Sequence, residues 1–204
     1  MDCKSHWENV YNTKNISEVS WHKAHLERSL QLTSQTGVGQ DGQIIDVGGG
    51  ASTLVDDLLA SGFKGVSVLD VSTAAIDKAK ARLGDSSNRV TWLDADITKI
   101  ELPADTYDVW HDRAVFHFLK DDEDRKKYVE ILRRSLKAGG HLITATFSLD
   151  GPSKCSGLDV NRYDPNLLSL EFGDALQLID SFNEEHVTPS GGVQKFIYCR
   201  FHMN

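Results

Sequence analysis

The chain has 204 residues, with 22 Lys and Arg against 30 Asp and Glu, which gives a formal net charge of -8. Its length and its 40% hydrophobic content predict one globular domain and exclude a disordered chain. No apolar run approaches the ~18–20 residues of a membrane span, and the first residues do not resemble a signal peptide, so we expect a cytoplasmic protein without a membrane partner. The acidic balance argues against nucleic acid as a partner, because phosphate binding relies on excess Lys and Arg.

The first forty residues predict two amphipathic helices, His6–Tyr11 and His22–Leu32, which we interpret as a cover (residues 1–40) on a domain of residues 41–204. After residue 41, short apolar runs alternate with segments of helical period, a pattern typical of βαβ units and a parallel sheet. The predicted strands are Gln43–Val47, Gly65–Asp70, Val90–Leu93, Tyr107–His111 and His141–Phe147. The predicted helices are Thr53–Ala60, Thr73–Leu83 and Asp121–Leu136, and we expect Gly139 and Gly140 to stop the last of them.

A different pattern follows in the last forty residues. A helix at Tyr163–Phe172 precedes two strand-like runs, Ala175–Asn183 and Gln194–Phe201. The intervening residues Glu184–Gly192 are too few for a crossover helix, so these two strands must pair antiparallel. We therefore predict an α/β fold: a doubly wound, mostly parallel seven-stranded sheet with an antiparallel last strand and helices on both faces.

The most informative segment is the glycine-rich turn after the first predicted strand. Asp46 and Val47 lead into Gly48, Gly49 and Gly50, and a helix follows. Glycines let the backbone approach a ligand closely, and this turn lies where ligands bind in a doubly wound sheet. Because many glycine turns are merely tight turns, the interpretation needs support from other segments.

Acidic residues end the next two predicted strands and supply that support. Asp70 lies roughly 20 residues after the glycines, a position from which an acid accepts hydrogen bonds from ribose hydroxyls. Ser72 is available to cap the following helix, which leaves Asp70 for a ligand. After the third strand, either Asp94 or Asp96 could accept a hydrogen bond from an adenine amine.

The residues around the turn discriminate between adenosine cofactors. A dinucleotide fingerprint would need glycine where Thr53 stands, and neither a phosphate loop nor a basic residue lies beside the turn. The carboxylate of Asp46 would repel a diphosphate but suits a cationic amino-acid group. These features favour S-adenosylmethionine, a sulfonium that also carries an ammonium group.

Two further segments, YDVWHDRA (107–114) and LKAGGHL (136–142), follow the turn and the acids. Together with these and with the terminal hairpin, the chain resembles class I S-adenosylmethionine-dependent methyltransferases over about residues 40–201. Ser52 stands where many members have a third glycine, and Ala138 where a proline precedes the glycine pair. The resemblance implies three sets of cofactor contacts: Asp46, Gly48, Gly49 and Gly50 at the methionine end, Asp70 and Val71 at the ribose, and Asp96 and Ile97 at the adenine.

The same resemblance implies the catalytic candidates. His111, also a cofactor contact, and Asp112 would lie beside the transferable methyl group, just past the fourth strand. We expect His186 to face the substrate from the terminal hairpin loop, and His117, in an aromatic run, to be a packed residue. Trp21 either stacks on cofactor or substrate or packs within the cover.

The acceptor is the least defined part of the prediction. We expect a small-molecule acceptor, and a protein lysine is the alternative acceptor. The alternatives to methyl transfer itself are a nicotinamide oxidoreductase and a cofactor-binding protein that has lost catalysis. No Asn/Asp-Pro-Pro-Tyr signature of nucleic-acid amino-methylation follows the fourth strand. Cys3, Cys155 and Cys199 show no local pairing, so we predict no disulfide and no metal site, and we do not expect Cys155 to contact substrate.

Overall fold

The computed structural model describes residues 3–204, so Met1 and Asp2 of the predicted cover lie outside the described residues. The helices are α1 (Cys3–Thr13), α2 (Glu27–Gln35), α3 (Leu54–Ala60), α4 (Thr73–Leu83), α5 (Asp122–Ser135) and α6 (Pro165–Phe172). The strands are β1 (Gln43–Val47), β2 (Gly65–Asp70), β3 (Val90–Asp94), β4 (Tyr107–Arg113), β5 (Leu136–Phe147), β6 (Lys154–Cys155), β7 (Leu158–Asp159), β8 (Leu176–Val187) and β9 (Val193–Met203). Among these described residues, none of the helices combines the length and the apolar character that a membrane crossing requires.

Seven strands form one sheet in the order β3-β2-β1-β4-β5-β9-β8. Strands β1 to β5 pair in parallel, β9 pairs antiparallel with β5, and β8 pairs antiparallel with β9. The predicted mostly parallel seven-stranded sheet with an antiparallel last strand is therefore confirmed. The strand order reverses between β1 and β4, and ligands bind at the carboxyl ends of strands beside such a reversal.

The two faces of the sheet each bury a hydrophobic core. Successive side chains on a strand point to opposite faces, so Ile44 and Ile45 of β1 enter different cores although both are fully buried. Helix α3 covers the first core through Leu54 and Leu58, and α5 covers the second through Leu132. Because both faces are covered at the centre of the sheet, successive residues of β1 are buried from Ile44 to Val47, without the in-and-out alternation of a one-sided sheet.

The predicted boundary between the last crossover helix and β5 is wrong. Helix α5 ends at Ser135, before the glycines, because Leu136 is extended and pairs with Tyr107. The register then shifts so that Val109 pairs with His141, and the residues in between form an irregular part of β5. Leu136 is buried in the second core, and its burial favours early entry into the sheet over further helix.

The terminal hairpin also differs from the prediction. Strand β8 continues to Val187 and β9 begins at Val193, so the connection is much shorter than predicted. His186 consequently lies in a strand, paired with Gln194, and not in a loop.

The N-terminal segment folds back over the carboxyl ends of the strands. The carboxylate of Glu8 in α1 accepts hydrogen bonds from the backbone N–H groups of Thr73 (2.6 Å) and Ala74 (3.3 Å) in the first turn of α4. Lys4 forms an ion pair with Asp94 at 2.8 Å. A carboxylate at a helix N-terminus satisfies free N–H groups and complements the helix dipole, so these contacts fix α1 onto α4.

Candidate active site

Two adjoining cavities lie at the carboxyl ends of β1, β2 and β4. We call them the larger and the smaller cavity; Tyr11, Trp21, Gly48 and Arg113 line both. The larger cavity reaches Asp70 and the segment after β3, and the smaller one reaches Asp46 and the start of α3. The cavities therefore occupy the position that the strand order predicts for a ligand.

Asp70 is a buried acid on the wall of the larger cavity. Its Oδ2 accepts a hydrogen bond from the N–H of Gly50 (2.9 Å), and its Oδ1 accepts one from the N–H of Ser72 (2.8 Å). The hydroxyl of Ser72 caps α4 by accepting from the N–H of Ala75, as the sequence predicted. Burial raises the pKa of Asp70 to about 6, because desolvation disfavours the charged carboxylate.

The segment after β3 forms the neighbouring wall. Asp96 and Ile97 line the larger cavity, as does Val71 from the turn after β2. Asp96 accepts hydrogen bonds from the N–H of Thr98 (2.9 Å) and from Nζ of Lys99 (2.7 Å). Asp94, the alternative acid, pairs with Lys4 and lines neither of the two cavities, so of the two acids Asp96 is the one on a cavity wall.

The glycine turn is compact because other side chains fill the space around it. Gly48 has φ +70°, a left-handed conformation that favours glycine, and a Cβ there would collide with Val115. A Cβ on Gly49 would collide with the carboxylate of Asp46, and one on Gly50 would lie 2.6 Å from Oδ2 of Asp70. Gly48 lines both cavities, whereas Gly49 and Gly50 lie behind the wall.

A buried hydrogen-bonded chain supports the smaller cavity. Nδ1 of His111 lies 2.7 Å from Oδ1 of Asp46, and Nε2 of His111 lies 2.9 Å from the hydroxyl of Ser29 in α2. Oδ2 of Asp46 is buried and has no hydrogen-bond partner among residues 3–204. An ammonium group could donate to this oxygen, so the site fits the methionine end of S-adenosylmethionine.

The predicted catalytic pair, His111 and Asp112, does not converge on either cavity. His111 and Asp112 are consecutive residues of β4, so their side chains point to opposite faces of the sheet. His111 lies behind Asp46, and neither residue lines a cavity.

Asp112 is held within the second core. Its Oδ1 accepts from the N–H of Val115 (2.9 Å), and its Oδ2 accepts from the hydroxyl of Tyr128 (2.6 Å) and the N–H of Phe116 (3.1 Å). The residue is fully buried, and burial raises its pKa to about 6. These contacts are those of a residue that fixes the turn after β4.

His186 and His117 are also structural in placement. His186 is buried and lines neither cavity; its Nε2 donates a hydrogen bond of 2.6 Å to the carbonyl of Ser20. It therefore anchors the N-terminal segment and does not face the cavities. His117 is fully buried, accepts from the N–H of Phe147, and has a pKa lowered by burial to about 3, which confirms that it is a packed residue.

Sequence reasoning missed most of the remaining wall. Trp7, Tyr11, Phe118 and Cys155 line the larger cavity, and Trp21 contacts Trp7 edge-to-face with ring centroids 5.7 Å apart. Trp21 thus both packs in the cover and faces the cavities. The spacing of Trp7 and Tyr11, four residues apart on one helix face, was the available signal.

Arg113 is the other residue that the sequence interpretation missed. Its Nε donates to the hydroxyl of Tyr198 (2.9 Å), and its Nη1 donates to the carbonyl of Trp21 (3.1 Å). The guanidinium lies over the ring of Phe196, 4.7 Å from the centroid. Arg113 is therefore fixed at the junction of the two cavities.

Comparison with known proteins agrees with this geometry. Residues 44–140 match the family model of a methyltransferase domain. The chain is 23% identical over 144 residues to the mouse eEF1A lysine and N-terminal methyltransferase. The aligned region covers 68% of this chain but only 20% of the mouse protein. It is 28% identical over 129 residues to a malonyl-[acyl-carrier protein] O-methyltransferase of Paenibacillus sp. (strain JDR-2), covering 61% of this chain and 45% of that one.

Solved structures share the fold. The 1,6-didemethyltoxoflavin-N1-methyltransferase of Burkholderia thailandensis, solved with 1,6-didemethyltoxoflavin and S-adenosylhomocysteine, superposes with a TM-score of 0.69 at 16% identity, over 98% of this chain and 84% of that one. The sheet order, the buried acid beside the glycine turn, and the match of residues 44–140 to a methyltransferase domain together support a class I S-adenosylmethionine-dependent methyltransferase.

Proposed function

We propose that this chain transfers the methyl group of S-adenosylmethionine to a small-molecule acceptor. The observation that carries the proposal is that Trp7, Tyr11 and Trp21, from the chain's own N-terminal segment, line the same cavity as Asp70 and Asp96. This segment, within the cover of residues 1–40, lies across the site. A covered apolar chamber suits a small molecule, whereas a folded protein needs an open surface.

The cofactor contacts follow from the positions of the acids. We assign the ribose hydroxyls to Asp70 with Val71 beside it, the adenine to Asp96 and Ile97, and the ammonium group to the free oxygen of Asp46. The sulfonium supplies an electrophilic methyl group, so the chain contributes alignment of the acceptor. We assign His111 to positioning Asp46, and Asp112 to holding the turn after β4.

The relatives support methyl transfer but do not choose the acceptor. One of them is named for lysine and N-terminal methylation of eEF1A, another for O-methylation, and the structural neighbour for N-methylation of a small molecule. A protein lysine is accordingly the second candidate. The cytoplasmic location and the lack of a nucleic-acid partner stay predictions of the composition.

A labelling experiment tests the proposal. The chain is incubated with methyl-labelled S-adenosylmethionine and a cell extract separated into a small-molecule fraction and a protein fraction. We expect label in the small-molecule fraction, and at least tenfold less of it with the Asp70→Ala variant, which lacks the ribose acceptor. Label that enters only the protein fraction would contradict the small-molecule assignment and favour lysine.

Replacing His111 tests whether it positions or catalyses. His111→Ala removes the donor to Asp46 and leaves Ser29 without its partner, so we expect cofactor affinity to fall about tenfold, by roughly 1–2 kcal/mol. At saturating cofactor, kcat should change by less than about threefold. Titration calorimetry with S-adenosylhomocysteine and steady-state kinetics measure the two effects.

Ser29→Ala is the matched control for His111→Ala, because it removes only the far end of the chain. It should have a smaller effect on affinity in the same direction. A large loss of kcat in His111→Ala with unchanged cofactor affinity would make His111 a catalytic residue after all.

A further inference from the structure

We propose that the acceptor reacts as an anion, a thiolate or a carboxylate, and that the guanidinium of Arg113 binds its charge. This inference rests on the proposed function and specifies its substrate class. It depends on the hydrogen bonds of Arg113, on its position between the cavities, and on the composition of the surrounding wall.

Arg113 has an unused donor. Two of its nitrogens donate to the neutral groups of Tyr198 and Trp21, while Nη2 is buried and has no hydrogen-bond partner among residues 3–204. Within the same residues, no carboxylate forms an ion pair with this guanidinium. An arginine stays protonated, and this half-buried guanidinium keeps one donor free, so an anion that reaches that donor completes the arrangement.

The position of Arg113 places that anion at the reaction. Arg113 lines both cavities, between Asp46, assigned to the methionine end, and Asp70, assigned to the ribose. In the cofactor, the sulfonium links those two ends, so the guanidinium and the sulfonium are neighbouring cations. An anionic acceptor between them interacts favourably with both, whereas an ammonium or a neutral amine does not.

Tyr11 and Cys155, two ionisable side chains that line the larger cavity, are poor proton acceptors near neutral pH. They lie on the cavity wall together with the aromatic side chains of Trp7, Trp21 and Phe118. Burial raises the pKa of the Tyr11 hydroxyl strongly and raises that of Cys155 to about 11. The imidazole of His22 lines the smaller cavity, together with Asp46.

An acceptor that arrives already ionised needs no base. The anion attacks the methyl carbon, a new S–C or O–C bond forms, and the bond from that carbon to the sulfonium breaks. The electron pair stays on the cofactor sulfur, which gives neutral S-adenosylhomocysteine. The two opposite charges cancel and no proton is released, which agrees with the raised pKa values of Tyr11 and Cys155.

A binding comparison tests the inference without knowing the natural acceptor. Benzoate and benzamide have nearly the same shape but differ in charge, and each is titrated into the chain saturated with S-adenosylhomocysteine. We expect benzoate to bind at least tenfold more tightly than benzamide. The preference should vanish in Arg113→Met and persist in part in Arg113→Lys, which keeps the charge but loses the planar fork. Equal binding of the two probes by the unchanged chain would overturn the proposal.

Two further arms locate the charge and separate the possible failures. Methyl transfer from labelled cofactor to thiophenol or to benzoate distinguishes a thiolate from a carboxylate acceptor, and aniline should not be labelled in either case. Methylation of aniline in preference to both would overturn the inference while leaving small-molecule methyl transfer intact. If Arg113→Met instead loses affinity for S-adenosylhomocysteine and keeps the benzoate preference, Arg113 binds the cofactor carboxylate and the inference is wrong.

Discussion

Asp112→Ala should lower the free energy of unfolding by about 3 kcal/mol or more, because it leaves two buried donors and one half-buried donor without an acceptor, and a buried unpaired donor costs about 1–3 kcal/mol. The three donors are the N–H groups of Val115 and Phe116 and the hydroxyl of Tyr128. Tyr128 also accepts a hydrogen bond from Nε1 of Trp110 at 2.8 Å, so the loss extends into the second core. Urea unfolding followed by tryptophan fluorescence measures the change.

Tyr128→Phe is the matched control, because it removes one of the donors to Asp112 and keeps the ring. It should be destabilised less than Asp112→Ala. Asp112→Asn should fall between the two, since the amide keeps one acceptor oxygen. A variant of Asp112 that unfolds at the same urea concentration as the unchanged chain but has lost turnover would return Asp112 to the catalytic residues.

The misplacement of Asp112 shows where strand prediction fails. The apolar run ends near Trp110, so the predicted strand stopped at His111, and the polar residues after it were assigned to a loop at the site. The strand in fact continues to Arg113. Because side chains alternate along a strand, the continuation puts Asp112 on the face opposite to that of His111 and Arg113, and Arg113 becomes the strand end that lines the cavities. By contrast, the bounds of β1 and α4 match the prediction, because turn residues flank both.

Arg113 could not have been assigned from local pattern. Its partners are Trp21 and Tyr198, which are 92 and 85 residues away in sequence, and they meet only when the N-terminal segment folds over the sheet. The cofactor acids are different, since each lies directly at a strand end or in the turn that follows. Position along a parallel strand was enough to bring Asp70 and Asp96 to one cavity.

Cofactor affinity should depend on pH through Asp70 and should fall about tenfold between pH 7 and pH 5. The pKa of Asp70 is raised to about 6, so the acid is largely protonated at pH 5, when it can no longer accept from both ribose hydroxyls. The effect of Asp70 on the free energy of unfolding has the opposite dependence on pH. A raised pKa favours the folded chain at low pH, and that contribution is lost as the pH rises through about 6.

The variant Asp70→Asn isolates this dependence, because it keeps the size of the side chain and cannot ionise. We expect its affinity for S-adenosylhomocysteine at pH 7 to be about 10- to 100-fold weaker, from the loss of roughly 1–3 kcal/mol of charged hydrogen bonding, and to be nearly independent of pH between 5 and 7. Asp96→Asn is the control, since the hydrogen bonds of Asp96 with Lys99 and Thr98 outweigh its partial burial and hold its pKa below the usual range. That variant should keep the pH dependence of the unchanged chain. Calorimetric titrations at pH 5, 6, 7 and 8 measure all three chains, and an affinity of the unchanged chain that does not vary across them would remove Asp70 from the ribose site.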